Sequence, residues 1–321
     1  MRIIYLFIDG IGFGKDDPDT NPFSRYATSY LSALGGRAPE ESLVPGFVTH
    51  ETDASLGLPG LPQSATGQTS LWTGLNGARV MGRHMTGFPG PTLRRVIYDW
   101  SIVLQYARRG RRASLLNAYS EAYIQRISHR PRLMSASTHI QVAAGQALKR
   151  LEDLEAGDAV YMDITHEIMH RLFPHLRARF PIRSPREVGA DLVRIAKRYD
   201  LVLHEFFITD KAGHDMSWET AEWAIRTLEA FIDGIVATMD PENELLLVTS
   251  DHGNLEDLSR KTHTENRVPT LAFGAGADQL PASVQNLADI PAFIYKMADL
   301  PVALPDEADY LSEEARSSES G

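Results

Sequence analysis

Residues 244–254 read Glu244-Leu245-Leu246-Leu247-Val248-Thr249-Ser250-Asp251-His252-Gly253-Asn254. The run Leu245–Val248 is apolar throughout rather than alternating, which predicts a strand buried on both faces, as in a parallel sheet. It closes on an acid and a histidine. The pattern recurs at the amino terminus, where Ile3-Ile4-Tyr5-Leu6-Phe7-Ile8 closes on Asp9. It recurs again in 201–209, from Leu201-Val202-Leu203 to Phe206-Phe207-Ile208-Thr209, which closes on Asp210 with His214 beyond. His263 follows His252 by eleven residues. Ligands of open α/β sheets gather beyond the carboxyl ends of such strands. If three strand ends converge, Asp9, Asp210, His214, Asp251, His252 and His263 share one cleft, with enough oxygen and nitrogen donors for two divalent cations. The fold class expected is α/β, a mainly parallel sheet sandwiched by helices.

Composition sets the bounds. The 321 residues suffice for one large α/β domain or a core with a smaller one. A 43% hydrophobic and 23% charged composition is that of an ordinary globular protein. The net charge of −10 argues against nucleic acid as a general partner, although bound cations would let an acidic chain hold a phosphate ester. With no cysteine, disulfides, thiolate metal sites and cysteine nucleophiles are excluded. The apolar run before Asp9 is too short for a signal-peptide core, and nothing approaches a membrane span; no membrane partner and a cytoplasmic location are expected.

Apolar spacing predicts helices near 92–109, 136–151, 185–198 and 217–239, and short strands at 113–117 and 270–273. Arginines concentrate between Gly82 and Pro185, while every candidate donor lies outside that interval. We therefore expect a metal-binding core from residues 1–90 and 186–304, a small lid inserted at 91–185, and a disordered acidic, serine-rich tail at 305–321. Residues 92–118 could alternatively form a helix–strand unit of the core.

Four ordered motifs carry a family likeness: Asp9-Gly10-Ile11-Gly12-Phe13-Gly14, Asp210-Lys211-Ala212-Gly213-His214, Asp251-His252-Gly253-Asn254 and His263-Thr264-Glu265-Asn266-Arg267-Val268-Pro269. They resemble the alkaline phosphatase superfamily, nearest its cofactor-independent phosphoglycerate mutase and phosphopentomutase branch. The likeness covers the two ends of the chain and misses most of the middle. It implies an alkaline phosphatase-like core and two divalent metal ions, Mn²⁺ or Zn²⁺ by the donor chemistry. One ion would take Asp9, Ser64, Asp251 and His252; the other Asp210, His214 and His263. Gln63-Ser64-Ala65-Thr66-Gly67-Gln68 stands where the family carries its nucleophile. Ser64 matches that residue, with Thr66 the alternative, and a hydroxyl at a helix amino terminus gains from the helix dipole. The family's histidine is Gln68 here, and its asparagine is Gln63.

The resemblance implies phosphoryl transfer on a small phosphorylated substrate. The motifs do not choose the acceptor. A short lid sequesters less, which favours a phosphatase- or phosphodiesterase-type hydrolase; a phosphomutase is the alternative. Arg83, His84, Arg94 and Arg95 are candidate substrate contacts. His166-Glu167-Ile168-Met169-His170 also fits the H-E-x-x-H of zinc proteases, but Pro174 follows within a turn and no third ligand is evident. A binding module that kept the fold and lost the chemistry would not need the intact donor set.

Overall fold

The computed structural model describes residues 1–37 and 45–319. Its strands are β1 (Arg2–Ile8), β2 (Phe47–Thr52), β3 (Ala113–Leu115), β4 (Asn117–Ala118), β5 (Val160–Tyr161), β6 (Leu201–Phe206), β7 (Glu244–Thr249) and β8 (Val268–Gly274). Six form one sheet in the order β2-β8-β7-β1-β6-β3. β7, β1, β6 and β3 run parallel, and β8 and β2 close one side antiparallel.

The apolar runs bury both faces of this sheet. Ile4, Leu6 and Ile8 enter one hydrophobic cluster with the helices Pro185–Ala196 and Trp218–Val236. Ile3, Tyr5 and Phe7 enter another, with Trp72 of the helix Ser64–Thr73 and with the helix Asp289–Met297. Alternation is invisible in the sequence because each face meets apolar partners. The ends of β6, β1 and β7 adjoin, so the segments that follow them share a single crevice.

Three expectations need correction. Residues 91–116 belong to the core rather than to an inserted lid: β3 pairs with β6, and the helices Pro91–Trp100 and Ile102–Arg108 bury Ile97, Ile102 and Val103 against the sheet. What remains of the insertion is a small unit after Leu116, apart from the helix Ala136–Ala143, which buries Ala136 and Ile140 in that same core cluster. The unit is built on the β4–β5 pair, with a cluster of Ala118, Ala159, Tyr161, Met169 and Phe180. Second, the strand before Asp210 stops at Phe206, and Asp210 lies in the helix Ile208–Asp215.

Third, the acidic tail is ordered over its described part. It forms a turn at Glu307–Tyr310 and a helix at Glu313–Glu319. Tyr310 Oη accepts from Trp100 Nε1 at 2.7 Å and donates to Asp99 Oδ2 at 3.1 Å. The Arg95 guanidinium stacks over the Tyr310 ring, and Arg83 pairs with Glu314 at 3.0 Å. Acidic side chains that look solvated in isolation find arginines fixed on a folded surface. No helix among the described residues is long and apolar enough to cross a membrane.

Candidate metal centre

Each donor reaches the crevice by a different local device. Asp9 follows β1 directly, and Asp251 and His252 lie just beyond β7. Asp210 and His214 are four apart on one helix, so they share a face. His263 comes from the loop ahead of β8. The described residues bring these side chains into two groups of potential metal-binding atoms, Asp9 with Asp251 and His252, and Asp210 with His214 and His263. The groups adjoin: the rings of His252 and His263 stack with centroids 3.6 Å apart.

The histidines are oriented from behind. Nδ1 of His214 lies 2.7 Å from the Lys261 carbonyl and Nδ1 of His263 lies 2.9 Å from that of Pro62. A carbonyl only accepts, so both Nδ1 atoms carry a proton, and in the neutral ring each Nε2 then presents its lone pair. Those two Nε2 atoms stand 3.2 Å apart. His214 Nε2 is 3.4 Å from Asp210 Oδ2 and His263 Nε2 is 3.7 Å from Asp210 Oδ1. His252 Nε2 lies 3.3 Å from Asp9 Oδ1 and 3.6 Å from Asp251 Oδ2.

Among the described residues, these histidines are the only ion-pair partners of the three carboxylates. Asp9 and Asp251 are buried, and Oδ1 of each has no hydrogen-bond donor. Burial first, and neighbouring carboxylates next, push Asp9 far above the ordinary aspartate range. Asp251 is likewise raised, chiefly by burial. Burial and then His263 push His252 down to about 3. The pocket thus disfavours its own charges. A divalent cation between the carboxylates reverses that logic, and oxygen and imidazole donors with no thiolate fit such an ion.

Ser64 opens the helix Ser64–Thr73, and its Oγ lies 3.0 Å from His252 Nε2. Thr66 points elsewhere: it is fully buried, and its hydroxyl donates to the Gln63 carbonyl at 3.1 Å. Gln68 Nε2 donates to Asp251 Oδ2 at 3.0 Å and to Asp9 Oδ2 at 3.3 Å. The glutamine that departs from the family pattern therefore touches two of the candidate ligands. Two further residues escaped the sequence reading. Asn254 Nδ2 donates to Asp210 Oδ1 at 2.7 Å, and Glu256 sits beneath the ligand turns. Asn254 stood inside the quoted D-H-G-N motif, whereas Glu256 gave no signal of its own.

Three of the other substrate-contact candidates, Arg83, His84 and Arg95, are engaged elsewhere. Arg83 and Arg95 face the tail, and His84 Nε2 lies 3.4 Å from the Leu58 carbonyl. His166 Nδ1 and His170 Nε2 contact the carbonyls of Pro181 and Phe180, and Glu167 accepts from Trp223 Nε1. The helix begins only at Glu167, with His166 in a left-handed conformation ahead of it. The H-E-x-x-H string is therefore a staple of the small unit.

Residues 182–301 match the model of the Metalloenzyme superfamily. The 2,3-bisphosphoglycerate-independent phosphoglycerate mutase of Rhodopseudomonas palustris is 33% identical over 119 residues, 34% of this chain and 23% of that protein. The enzyme of the same name from Moorella thermoacetica is 33% identical over 95 residues, 28% of this chain and 18% of that protein. The match thus spans less than a quarter of either relative's length. Among solved structures, the alkaline phosphatase from the Antarctic bacterium TAB5 superposes with a TM-score of 0.55 at 15% identity, covering 94% of this chain and 99% of that one. The Thermus thermophilus alkaline phosphatase gives 0.58 at 12% identity, covering 98% and 95%. At such identities the likeness is one of fold. The chain thus has an alkaline phosphatase-like fold, and its residues 182–301 are similar to the Metalloenzyme superfamily.

Proposed function

We propose that the chain is a phosphoryl-transfer enzyme that uses two divalent cations and Ser64 to act on a small phosphate ester, with water as the favoured final acceptor. Asp9, Ser64, Asp251 and His252 would hold one ion, and Asp210, His214 and His263 the other. The observation that carries this reading is the crowding of three carboxylates and three inward-turned imidazoles with no lysine or arginine among their ion-pair partners in the described residues. When bound, the cations supply Lewis-acid chemistry, neutralising phosphoryl oxygens and favouring the ionised hydroxyl.

The residues of the chain supply position. Gln63 gives the helix Ser64–Thr73 no side-chain cap; the Ala65 amide donates to the Met85 carbonyl at 3.1 Å, but the Ser64 amide at the helix start is left, among the described residues, to receive a phosphoryl oxygen. Gln68 steadies Asp9 and Asp251, and Asn254 steadies Asp210. Ser64 Oγ forms the new bond to phosphorus while the ester oxygen leaves with its bonding pair, giving a phosphoserine. Water that attacks this intermediate releases inorganic phosphate and restores Ser64. A second substrate hydroxyl would instead return the group as an isomeric ester. The similarity to phosphoglycerate mutases supports that second outcome. The small size of the unit after Leu116, which sequesters less, supports hydrolysis.

The test is a screen of phosphate monoesters, diesters and phosphonates with metal-loaded protein, followed on the best substrate by product analysis and mass spectrometry of quenched protein. We expect a phosphate-sized adduct on the Ser64 peptide, free inorganic phosphate, and a loss of several orders of magnitude in kcat in Ser64→Ala. A fully active Ser64→Ala variant would show that no covalent route exists. An isomeric ester without phosphate release would establish the mutase.

A further inference from the structure

Glu256 is 2% exposed and belongs to neither donor group. Its Oε2 accepts from the Gly12 amide at 2.9 Å and the Asn254 amide at 2.8 Å. Its Oε1 accepts from the Thr264 hydroxyl and from Asn266 Nδ2, the latter at 3.0 Å. These four donors lie on three separate segments. Gly12 belongs to the turn that begins with Asp9, Asn254 to the turn that carries Asp251 and His252, and Thr264 adjoins His263. Asn254 extends the connection to the fourth segment through its bond to Asp210. One buried carboxylate thus bonds to three of the stretches that deliver candidate ligands and reaches a fourth through Asn254.

The glycines of two motifs make room for it. A Cβ on Gly12 would lie 2.6 Å from Glu256 Oε1, and one on Gly253 would lie 2.2 Å from the same oxygen. The segments also bond to one another: the Leu255 amide donates to the Gly10 carbonyl at 3.0 Å and the Thr264 amide to the Gly253 carbonyl at 3.0 Å. No cationic side chain pairs with Glu256 among the described residues. Its charge is balanced by hydrogen-bond donors alone, each of the charge-assisted kind that fixes geometry most firmly.

We infer that Glu256 is a positioning residue for both cation sites: it sets the spacing of the three ligand turns, so cation affinity at the two sites depends on it together. This inference rests on the two-cation reading above. Ligand-orienting partners of this kind typically change metal affinity 10- to 100-fold when removed. Glu256→Gln keeps the shape but replaces one oxygen with an amide donor. Turned one way the amide faces the fixed Gly12 and Asn254 N–H donors; turned the other it faces Asn266 Nδ2 and a Thr264 hydroxyl that must reverse its role.

Mn²⁺ is titrated calorimetrically into metal-free wild type and variants, and thermal unfolding is followed with and without Mn²⁺. Glu256→Gln should weaken both sites at least tenfold and shrink the rise in Tm that Mn²⁺ gives the wild type. Thr264→Val, which removes one donor, should weaken both sites by a smaller factor. If Glu256→Gln does not fold, the double variant Thr264→Val/Asn266→Ala, which strips Oε1 of both donors, decides the matter by the same tenfold criterion. Glu229 is the control, a buried carboxylate that accepts from the amides of Thr28, Ser29 and Leu31 away from the donor groups. Glu229→Gln should lower the metal-free Tm and leave Mn²⁺ affinity unchanged. If the Glu256 and Thr264 variants behave like the Glu229 control, or if only one site weakens, the inference is overturned. Wild type that binds no stoichiometric Mn²⁺ or Zn²⁺ would overturn the two-cation reading and this inference with it.

Discussion

His204→Leu should stabilise the protein, and by an amount that grows as the pH falls. His204 is 2% exposed in the centre of β6, its ring 5.7 Å from that of Phe231, and neither ring nitrogen has a hydrogen-bond partner among the described residues. Leucine is of similar size and suits an apolar site. At pH 8, relief of an unpartnered polar group is worth about 1–3 kcal/mol. Burial pushes His204 down to about 3, whereas in the unfolded chain it titrates near 6.5. Its folded-state pKa is depressed, so between those values the unfolded state binds the proton that the folded state refuses, and stability falls with falling pH. At pH 5 the unfolded state gains about 1.5 units at 1.36 kcal/mol each, or about 2 kcal/mol. Leucine abolishes that loss. Thermal unfolding of both proteins at pH 8 and pH 5, in excess chelator so that cation loss cancels, should show the gap widening by about 2 kcal/mol. At about 2 °C per kcal/mol for a chain of this size, that is roughly 4 °C. A gap that does not change with pH, or a variant less stable at both values, would refute the reasoning.

Two further outcomes follow from the same structure. Because burial raises both Asp9 and Asp251, a cation that binds there must displace protons once the pH drops below the raised values. Apparent affinity should therefore fall on going from pH 8 to pH 5, by about tenfold per pH unit for each proton displaced, and calorimetry across that range in two buffers of different ionisation enthalpy counts the protons. Tyr310→Phe removes the hydroxyl that joins Trp100 to Asp99; it should cost about 1–3 kcal/mol of stability and alter Trp100 fluorescence, and no change in either would mean that the tail does not hold this contact in solution.

The parts of the fold that the sequence made legible are those where one face of chemistry repeats. β1 and β7 are apolar through their centres, and β6 over Leu201–Leu203, because both sheet faces are covered, and an acid beyond each strand marked the crevice. The helix Ser64–Thr73 was legible only through the motif that sets Ser64 at a helix amino terminus. What escaped depended on distant partners. β2 is only partly buried along most of its length, so it carries no apolar run, and it becomes a strand because β8 offers it an edge. β3 is three residues long, too short for periodicity, which let residues 91–116 pass for part of an insertion. The tail composition looks disordered until Arg83, Arg95 and Trp100 meet it. Donors such as Asp9 and Asp251 are visible as residue types, but Gln68, Asn254 and Glu256 act through contacts spanning up to 244 residues of sequence, which no local pattern encodes.

The central claim is that six carboxylate and imidazole side chains, with Ser64, hold two divalent cations that the chemistry requires. Its most direct test is the metal content of purified protein by elemental analysis, measured alongside activity before and after chelation. The account predicts close to two divalent ions per chain, loss of activity and of thermal stability on chelation, recovery of both on adding Mn²⁺ or Zn²⁺, and loss of metal in Asp251→Asn and His263→Ala. Metal-free protein with undiminished phosphoryl-transfer activity would contradict it.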